Sequence, residues 1–191
     1  MALSAELKRF MDSLSCCTYN GAQHSDVLVE ETDALAKLRK VKLQAGSGDW
    51  FAFCPDKGRG VGALMSALLA TGKVHDHHRA CDCVVVVCRG TQLTVLYLEL
   101  KSGNPSGYAG QFKSTRQFIR YALGLLEEFH GSPLQLEREQ YVVLHGGAKP
   151  LPIQKKTTVP KLVKAGKTLP DQAYRREVPN GASLYLRELL A

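Results

Sequence analysis

Asp82, Glu99 and Lys101 are the residues whose types and spacing could do chemistry together. They stand at the ends of two apolar runs, CDCVVVVC at 81–88 and QLTVLYLELK at 92–101, both rich in the β-branched and aromatic residues that suit strands. Between the runs lies Arg89-Gly90-Thr91-Gln92, a tight-turn signal in which Gly90 suits a type II′ turn. If Gly90 and Thr91 are the two turn residues, Arg89 pairs with Gln92 and, seven pairs further down, Asp82 faces Glu99. Directly paired residues project from one face with Cβ atoms about 4.5–5.5 Å apart. Alternation with period two adds Lys101 to that face.

Two carboxylates held so close repel each other, and one pKa rises unless a cation joins them. A hard divalent ion with oxygen ligands is the natural solution, and Mg²⁺ takes one or two carboxylates while keeping several waters. A neighbouring ammonium can orient an attacking water or offset charge on a phosphate. The set therefore predicts a metal-dependent phosphodiester hydrolysis site. Glu6-Leu7-Lys8 repeats the same tripeptide, but on a stretch of helical periodicity, where residues two apart do not face each other.

The order Arg79-Ala80-Cys81-Asp82, a valine run, a turn, then Leu96-Tyr97-Leu98-Glu99-Leu100-Lys101-Ser102-Gly103 resembles the PD-(D/E)xK, or restriction-endonuclease-like, nuclease superfamily. The resemblance spans roughly residues 26–146, and Asp82 follows Cys rather than the family's Pro. It implies an α/β (α+β) fold with a mixed central β-sheet flanked by helices, dependence on Mg²⁺ or Mn²⁺, and DNA as the usual substrate. It further implies Asp82 and Glu99 as metal ligands with the Leu100 carbonyl as a third, and Lys101 as the group that activates water or stabilises charge. Gln111 stands where that family often carries a glutamine, and Gln117-Phe118-Ile119-Arg120-Tyr121 echoes a QxxxY motif of its RecB-type members. An upstream glutamate completes the pattern, for which Glu30 or Glu31 fits. A homodimer, or a place as partner subunit in a larger complex, is compatible with cutting duplex DNA. Prokaryotic defence, antiviral or otherwise, and repair are roles by analogy. A catalytically inactive nucleic-acid-binding or scaffold subunit of the same fold is the alternative.

Two other clusters compete for attention. His75, His77, His78, Cys81 and Cys83 could bind zinc, though the spacing matches no common finger; a polar loop touching phosphate through His or Arg79 is the favoured expectation. Gly58-Arg59-Gly60-Val61-Gly62 resembles a phosphate-cradling turn without the lysine and Ser/Thr of a nucleotide-binding loop.

The elements that must position these groups follow from periodicity. Leu3, Leu7, Phe10 and Leu14 predict a helix over 2–14, and Asn20-Gly21 a turn. A second helix is expected from Ser25 or Asp26 to about Lys40, then strands VKLQAG and DWFAFCP, and a buried helix GALMSALLAT at 62–71. Phe112, Phe118, Ile119, Ala122, Leu125, Leu126 and Phe129 mark a helix over 109–129, and YVVLHG at 141–146 a buried strand. ASLYLRELL at 182–190 is strand or helix.

The 191 residues fit one domain. Their +7 charge is concentrated: the Pro/Lys-rich segment 149–180 carries eight basic residues between Lys149 and Arg176 against Asp171 alone. A concentrated basic segment suits a polyanion. No apolar run spans a bilayer, so no membrane role is expected, and the charged N-terminal helix predicts a cytoplasmic protein without a signal peptide. The six cysteines are expected reduced, with Cys81 and Cys83 packing on one side of their strand.

Overall fold

The structure is a computed structural model that describes residues 2–55, 64–66, 68–71, 76–147 and 168–190, the side chains of Thr18 and Asp76 aside. The chain is mixed α/β. In order it forms α1 (Ala5–Asp12), β1 (Cys17–Asn20), β2 (Asp26–Glu30), β3 (Lys40–Gln44) and β4 (Trp50–Phe53). A 3₁₀ turn (Asp76–His78) leads to β5 (Cys83–Arg89), β6 (Gln92–Ser102), α2 (Ala109–His130) and β7 (Gln135–Gly147). The chain ends in β8 (Tyr174–Pro179), β9 (Ala182–Tyr185) and the short α3 (Leu186–Leu189).

A six-stranded sheet of order β1-β4-β5-β6-β7-β8 forms the middle layer. It is antiparallel from β1 to β6 and parallel from β6 to β8. Parallel neighbours need a long crossover, and α2 supplies it between β6 and β7. Both faces of the sheet are covered, which explains its near-continuous apolar strands. On one face Leu7 and Phe10 of α1 and Phe112, Ile119 and Leu126 of α2 pack against Val84, Val86, Val95, Tyr97, Tyr141 and Val143. On the other, Val27, Val29, Val41 and Leu43 of the small sheet β2-β3-β9 meet Cys83, Val85, Leu96, Leu98, Val142 and Leu144. Among the described residues the second face is thus covered mainly by a sheet, with the four residues of α3 helical.

The hairpin register is as expected from the turn. Cys83 pairs with Leu98 and Arg89 with Gln92. Gly90 has φ 65° while Thr91, like every other non-glycine residue among those described, does not have positive φ, which fits a type II′ turn and excludes type I′. Between β6 and β7 the stacked rings of Tyr97 and Tyr141, 4.8 Å apart, sit at directly paired positions.

Four expectations are corrected. The helix expected over 26–40 is two antiparallel strands, β2 and β3, because Val27/Val29 and Val41/Leu43 alternate in burial and need a sheet surface beneath them. The buried helix expected over 62–71 does not form at residues 64–66 or 68–70, whose Leu64, Leu68 and Leu69 are exposed; Gly62, Ala63 and Ala67 lie outside the described residues. Cys81 and Cys83 pack on opposite faces of the sheet, since the chain bends at Asp82 and alternation restarts at Cys83. Within the Pro/Lys-rich segment 149–180, to which the sequence assigns no element, Tyr174–Pro179 is strand β8. The Gly58–Gly62 turn, His75 and residues 148–167 of the basic segment lie outside the described residues. None of the six cysteines is joined in a disulfide, and among the described residues no helix is long and apolar enough to cross a membrane.

The two sheets are tied at the carboxyl end of β6 and β7. Ser102 Oγ accepts from the Lys37 N–H at 2.6 Å and the Leu38 N–H at 3.2 Å. A Cβ on Gly147, whose φ is 109°, would lie 2.4 Å from the Leu38 nitrogen and 2.5 Å from the Lys37 carbonyl oxygen. Gly147→Ala should therefore cost roughly 2–4 kcal/mol in urea unfolding, through backbone overlap as well as strain. Gly181→Ala, at φ 79° but facing open space, should cost only about 1–2 kcal/mol. Equal losses at the two positions would show that the close approach at Gly147 is unimportant.

Candidate active site

The site begins where the β5–β6 ladder stops. The next rung after Cys83 and Leu98 would place Leu100 opposite Cys81, but the Leu100 N–H donates instead to Asp82 Oδ2 at 2.6 Å. A residue's N–H and C=O project to the same edge of an extended strand. The Leu100 carbonyl therefore faces the Asp82 edge too. Asp82 is fixed from behind by α2: Thr115 Oγ1 accepts from the Cys81 N–H at 3.1 Å, and Ser114 Oγ donates to the His77 carbonyl at 2.5 Å.

Glu99 and Lys101 project from the face of β6 that α2 covers, the face of Tyr97 and Val95. Lys101 Nζ lies 2.6 Å from Glu99 Oε1. Gln111, in the first turns of α2, locks the pair: its Nε2 donates to Glu99 Oε1 at 2.6 Å and its Oε1 accepts from Lys101 Nζ at 3.3 Å. The expected neighbours Asp82, Glu99, Lys101, Gln111 and the Leu100 backbone thus come together, from the bend before β5, the end of β6 and the start of α2.

Glu30 and Glu31 separate by alternation. Val27 and Val29 point into the core, so Glu30 points outward, where it pairs with Lys40 Nζ at 3.3 Å. Glu31 falls on the inward side, its N–H bonded to the Arg39 carbonyl, and its charge raises the pKa of Asp82. Of the two candidates, Glu31 is the one near the site.

Burial dominates the electrostatics. Glu99 is 1% exposed, and desolvation lifts its pKa from the ordinary 4.5 to about 7 against the pull of Lys101 and Gln111. Asp82 is held well above the usual carboxylate range by burial first and by the Glu99 charge second, with the Leu100 N–H opposing. Glu99 Oε1 receives two donors, whereas Oε2 is buried and meets no hydrogen-bonding geometry, although the nearby Asp82 N–H favours the ionised form. A buried carboxylate oxygen with no donor is an acceptor awaiting a cation.

That donor set fits a hard divalent ion: two carboxylates, one strand carbonyl and room for water ligands. It does not fit zinc held by the His/Cys cluster. Among the described residues no three His, Cys, Asp or Glu side chains converge. The Cys81 thiol is pushed well above its usual value by burial, and that of Cys83 by its hydrogen bond with Cys54 and by burial. His77 and His78 both turn Nε2 to the Ala70 carbonyl, at 2.7 and 3.0 Å.

Sequence reasoning missed the supports: Ser114 and Thr115 read as ordinary helix residues, and only their hydroxyls on a buried face hinted at a role. The second Glu-x-Lys behaves as a surface pair. Glu6 is bonded to Arg9 at 3.0 Å and Lys8 to Asp12, all on exposed turns of α1.

The raised pKa of Glu99 has a definite sign. The folded protein binds this proton more tightly than the unfolded chain, so its contribution to stability is complete below pH about 4.5 and is lost as pH rises through about 7. In chelator-treated protein the urea-unfolding free energy should fall by roughly 2–3 kcal/mol more in wild type than in Glu99→Gln between about pH 5 and pH 8. Parallel pH curves for the two proteins would contradict the assignment.

Compared with known proteins, the chain matches no family model, no curated protein and no solved structure, so the chemistry of this site is argued from its own geometry.

Proposed function

We propose that the protein is a Mg²⁺- or Mn²⁺-dependent nuclease that hydrolyses phosphodiester bonds in DNA. The observation that carries this reading is the buried pair Asp82 and Glu99, with Glu99 Oε2 lacking a donor and Lys101 held beside it by Gln111. Asp82, Glu99 and the Leu100 carbonyl are the groups that would hold the ion, with Glu31 close enough to add charge. When bound, such an ion lowers the pKa of a coordinated water and neutralises charge developing on the phosphate. Lys101, a quarter exposed at the mouth of the site, orients the attacking water or offsets phosphate charge. Gln111 is a positioning residue: it keeps the ammonium and Glu99 in register and touches both. The resemblance of this hairpin to the PD-(D/E)xK pattern supports the same assignment and favours DNA.

A second reading has its own observation in favour. Lys101 and Gln111 both bond Glu99 Oε1, and no third acid or histidine converges on the pair among the described residues. A closed network of that kind suits a catalytically silent nucleic-acid-binding or scaffold subunit of the same fold. Incubation with plasmid, linear duplex and single strands, with and without Mg²⁺ or Mn²⁺, separates the two: cleavage supports the nuclease, and binding without cleavage under every condition supports the subunit.

Asp82→Ala and Glu99→Ala should each reduce cleavage to background, while Lys101→Ala should lose most of kcat and still bind Mn²⁺ in calorimetric titration. The double change Glu6→Ala with Lys8→Ala removes the same tripeptide chemistry from α1 and should leave activity within about twofold. Wild-type turnover by either carboxylate variant, or an essential Glu6/Lys8 pair, would refute the site.

A further inference from the structure

Three strands run parallel from the candidate site to the edge of the sheet, and their pairing sets side chains in rows. Glu99 pairs with Val143, and Val143 with Arg175; Lys101 pairs with His145, and His145 with Glu177. Val143 belongs to the face covered by α2, as does Tyr97, while Val178 and Val142 belong to the opposite face. Alternation therefore puts Glu99, Lys101, His145 and Arg175 on one face. With strands about 4.8 Å apart, Arg175 starts about 10 Å from Glu99, across β7.

Arg175 is exposed yet anchored. Its guanidinium lies 5.5 Å from the centroid of the Tyr108 ring, and Nη2 donates to the Tyr108 hydroxyl at 3.0 Å. That hydroxyl in turn donates to the Asp171 carbonyl at 3.3 Å, and the ring is 4% exposed. Arg9, Arg120 and Arg176 pair with Glu6, Glu139 and Glu188, whereas Arg175, like Arg187 over Tyr185, lies against a tyrosine ring and meets no carboxylate among the described residues. Its planar fork is therefore available to an anion. His145, half-buried in the second row, makes no hydrogen bond among the described residues.

We propose that Arg175, stacked on Tyr108, and His145 form a second phosphate-binding subsite that holds the same polynucleotide strand one or two nucleotides from the bond at Asp82 and Glu99. This rests on reading that pair as a phosphodiester site. The bound strand then passes along the carboxyl ends of β6, β7 and β8, past Lys101 and His145, to β8, since α2 covers the sheet at Val143. Glu177, exposed beside His145, bounds the subsite on its outer side by repelling phosphate. The ligand is the sugar–phosphate backbone, whose contacts fix register without reading bases.

The test is metal-free binding, which keeps it separate from catalysis. Fluorescence anisotropy in chelator, with labelled oligothymidylates of two to eight nucleotides, should show wild-type affinity rising with length. Arg175→Gln should bind the octamer about tenfold more weakly, and its log-affinity against log-salt slope should be shallower by about one. His145→Ala should show a smaller loss. Arg175→Lys, which keeps the charge and loses the stacked fork, should fall between wild type and Arg175→Gln, and serves where the glutamine variant does not fold. Octamer affinity and salt slope equal to wild type in the folded variants, or wild-type binding independent of length, would overturn the subsite. A protein that binds in this way but cuts nothing refutes the catalytic reading alone; one that cuts, with Arg175 variants unaltered, refutes the subsite alone.

Discussion

The site depends on one hydrogen bond, from the Leu100 N–H to Asp82 Oδ2. In a continued antiparallel ladder that N–H would bond to the backbone of residue 81. A carboxylate takes the place of that rung, so the chain turns away at Asp82 and β6 runs on without its β5 neighbour. The last residues of β6 then have α2 on one side and the buried Asp82 carboxyl where the β5 backbone would be. A backbone carbonyl in Asp82's place would satisfy the same N–H and carry no charge; only an acidic side chain closes the ladder and adds a buried carboxyl at once.

Holding that carboxylate beside Glu99 is unfavourable for the fold by itself. Burial raises both pKa values, and the Glu99 charge raises that of Asp82 further; a buried ionic network is weak support for stability in itself. The chain answers on one oxygen only, placing the Lys101 ammonium and the Gln111 amide on Glu99 Oε1. The asymmetry distinguishes this cluster from the pairs on α1 and β2, where each acid meets a basic partner and remains open to solvent.

What was legible in the sequence was local. Two turn residues fixed the hairpin register as far as Cys83 and Leu98, which is enough to bring Asp82 near Glu99 and Lys101, but the direct pairing expected of Asp82 with Glu99 gives way to a bond with the Leu100 N–H. The segment 26–40 misled because its interior, Glu31 to Lys40, is dense in good helix formers such as Ala, Leu, Glu and Lys. Burial against the six-stranded sheet overrode that propensity, and the alternation of Val27 and Val29 was the signal that could have found it. The same alternation would have chosen Glu31 over Glu30. Cys81 and Cys83 misled through the opposite fault, since a regular strand was extended one residue too far, through the bend at Asp82. Ser102, Thr115 and Tyr108 act through contacts with residues distant in sequence, and no short-range pattern encodes those.

The parallel half of the sheet decides which way the site can extend. β6, β7 and β8 end at the same edge, and in open α/β sheets ligands gather outside the carboxyl ends of parallel strands. β5 runs the other way and meets that edge with its beginning, so the bend at Asp82 and the ends of three parallel strands lie on one rim. On the antiparallel side of Asp82, β4 and β1 bring buried Phe51, Phe53 and Ala52 and the side chains of the core. On the parallel side the same rim carries Lys101, His145 and Arg175. On the nuclease reading proposed above, a polynucleotide at the carboxylates would meet these side chains on the parallel side of β6, where the strand direction reverses.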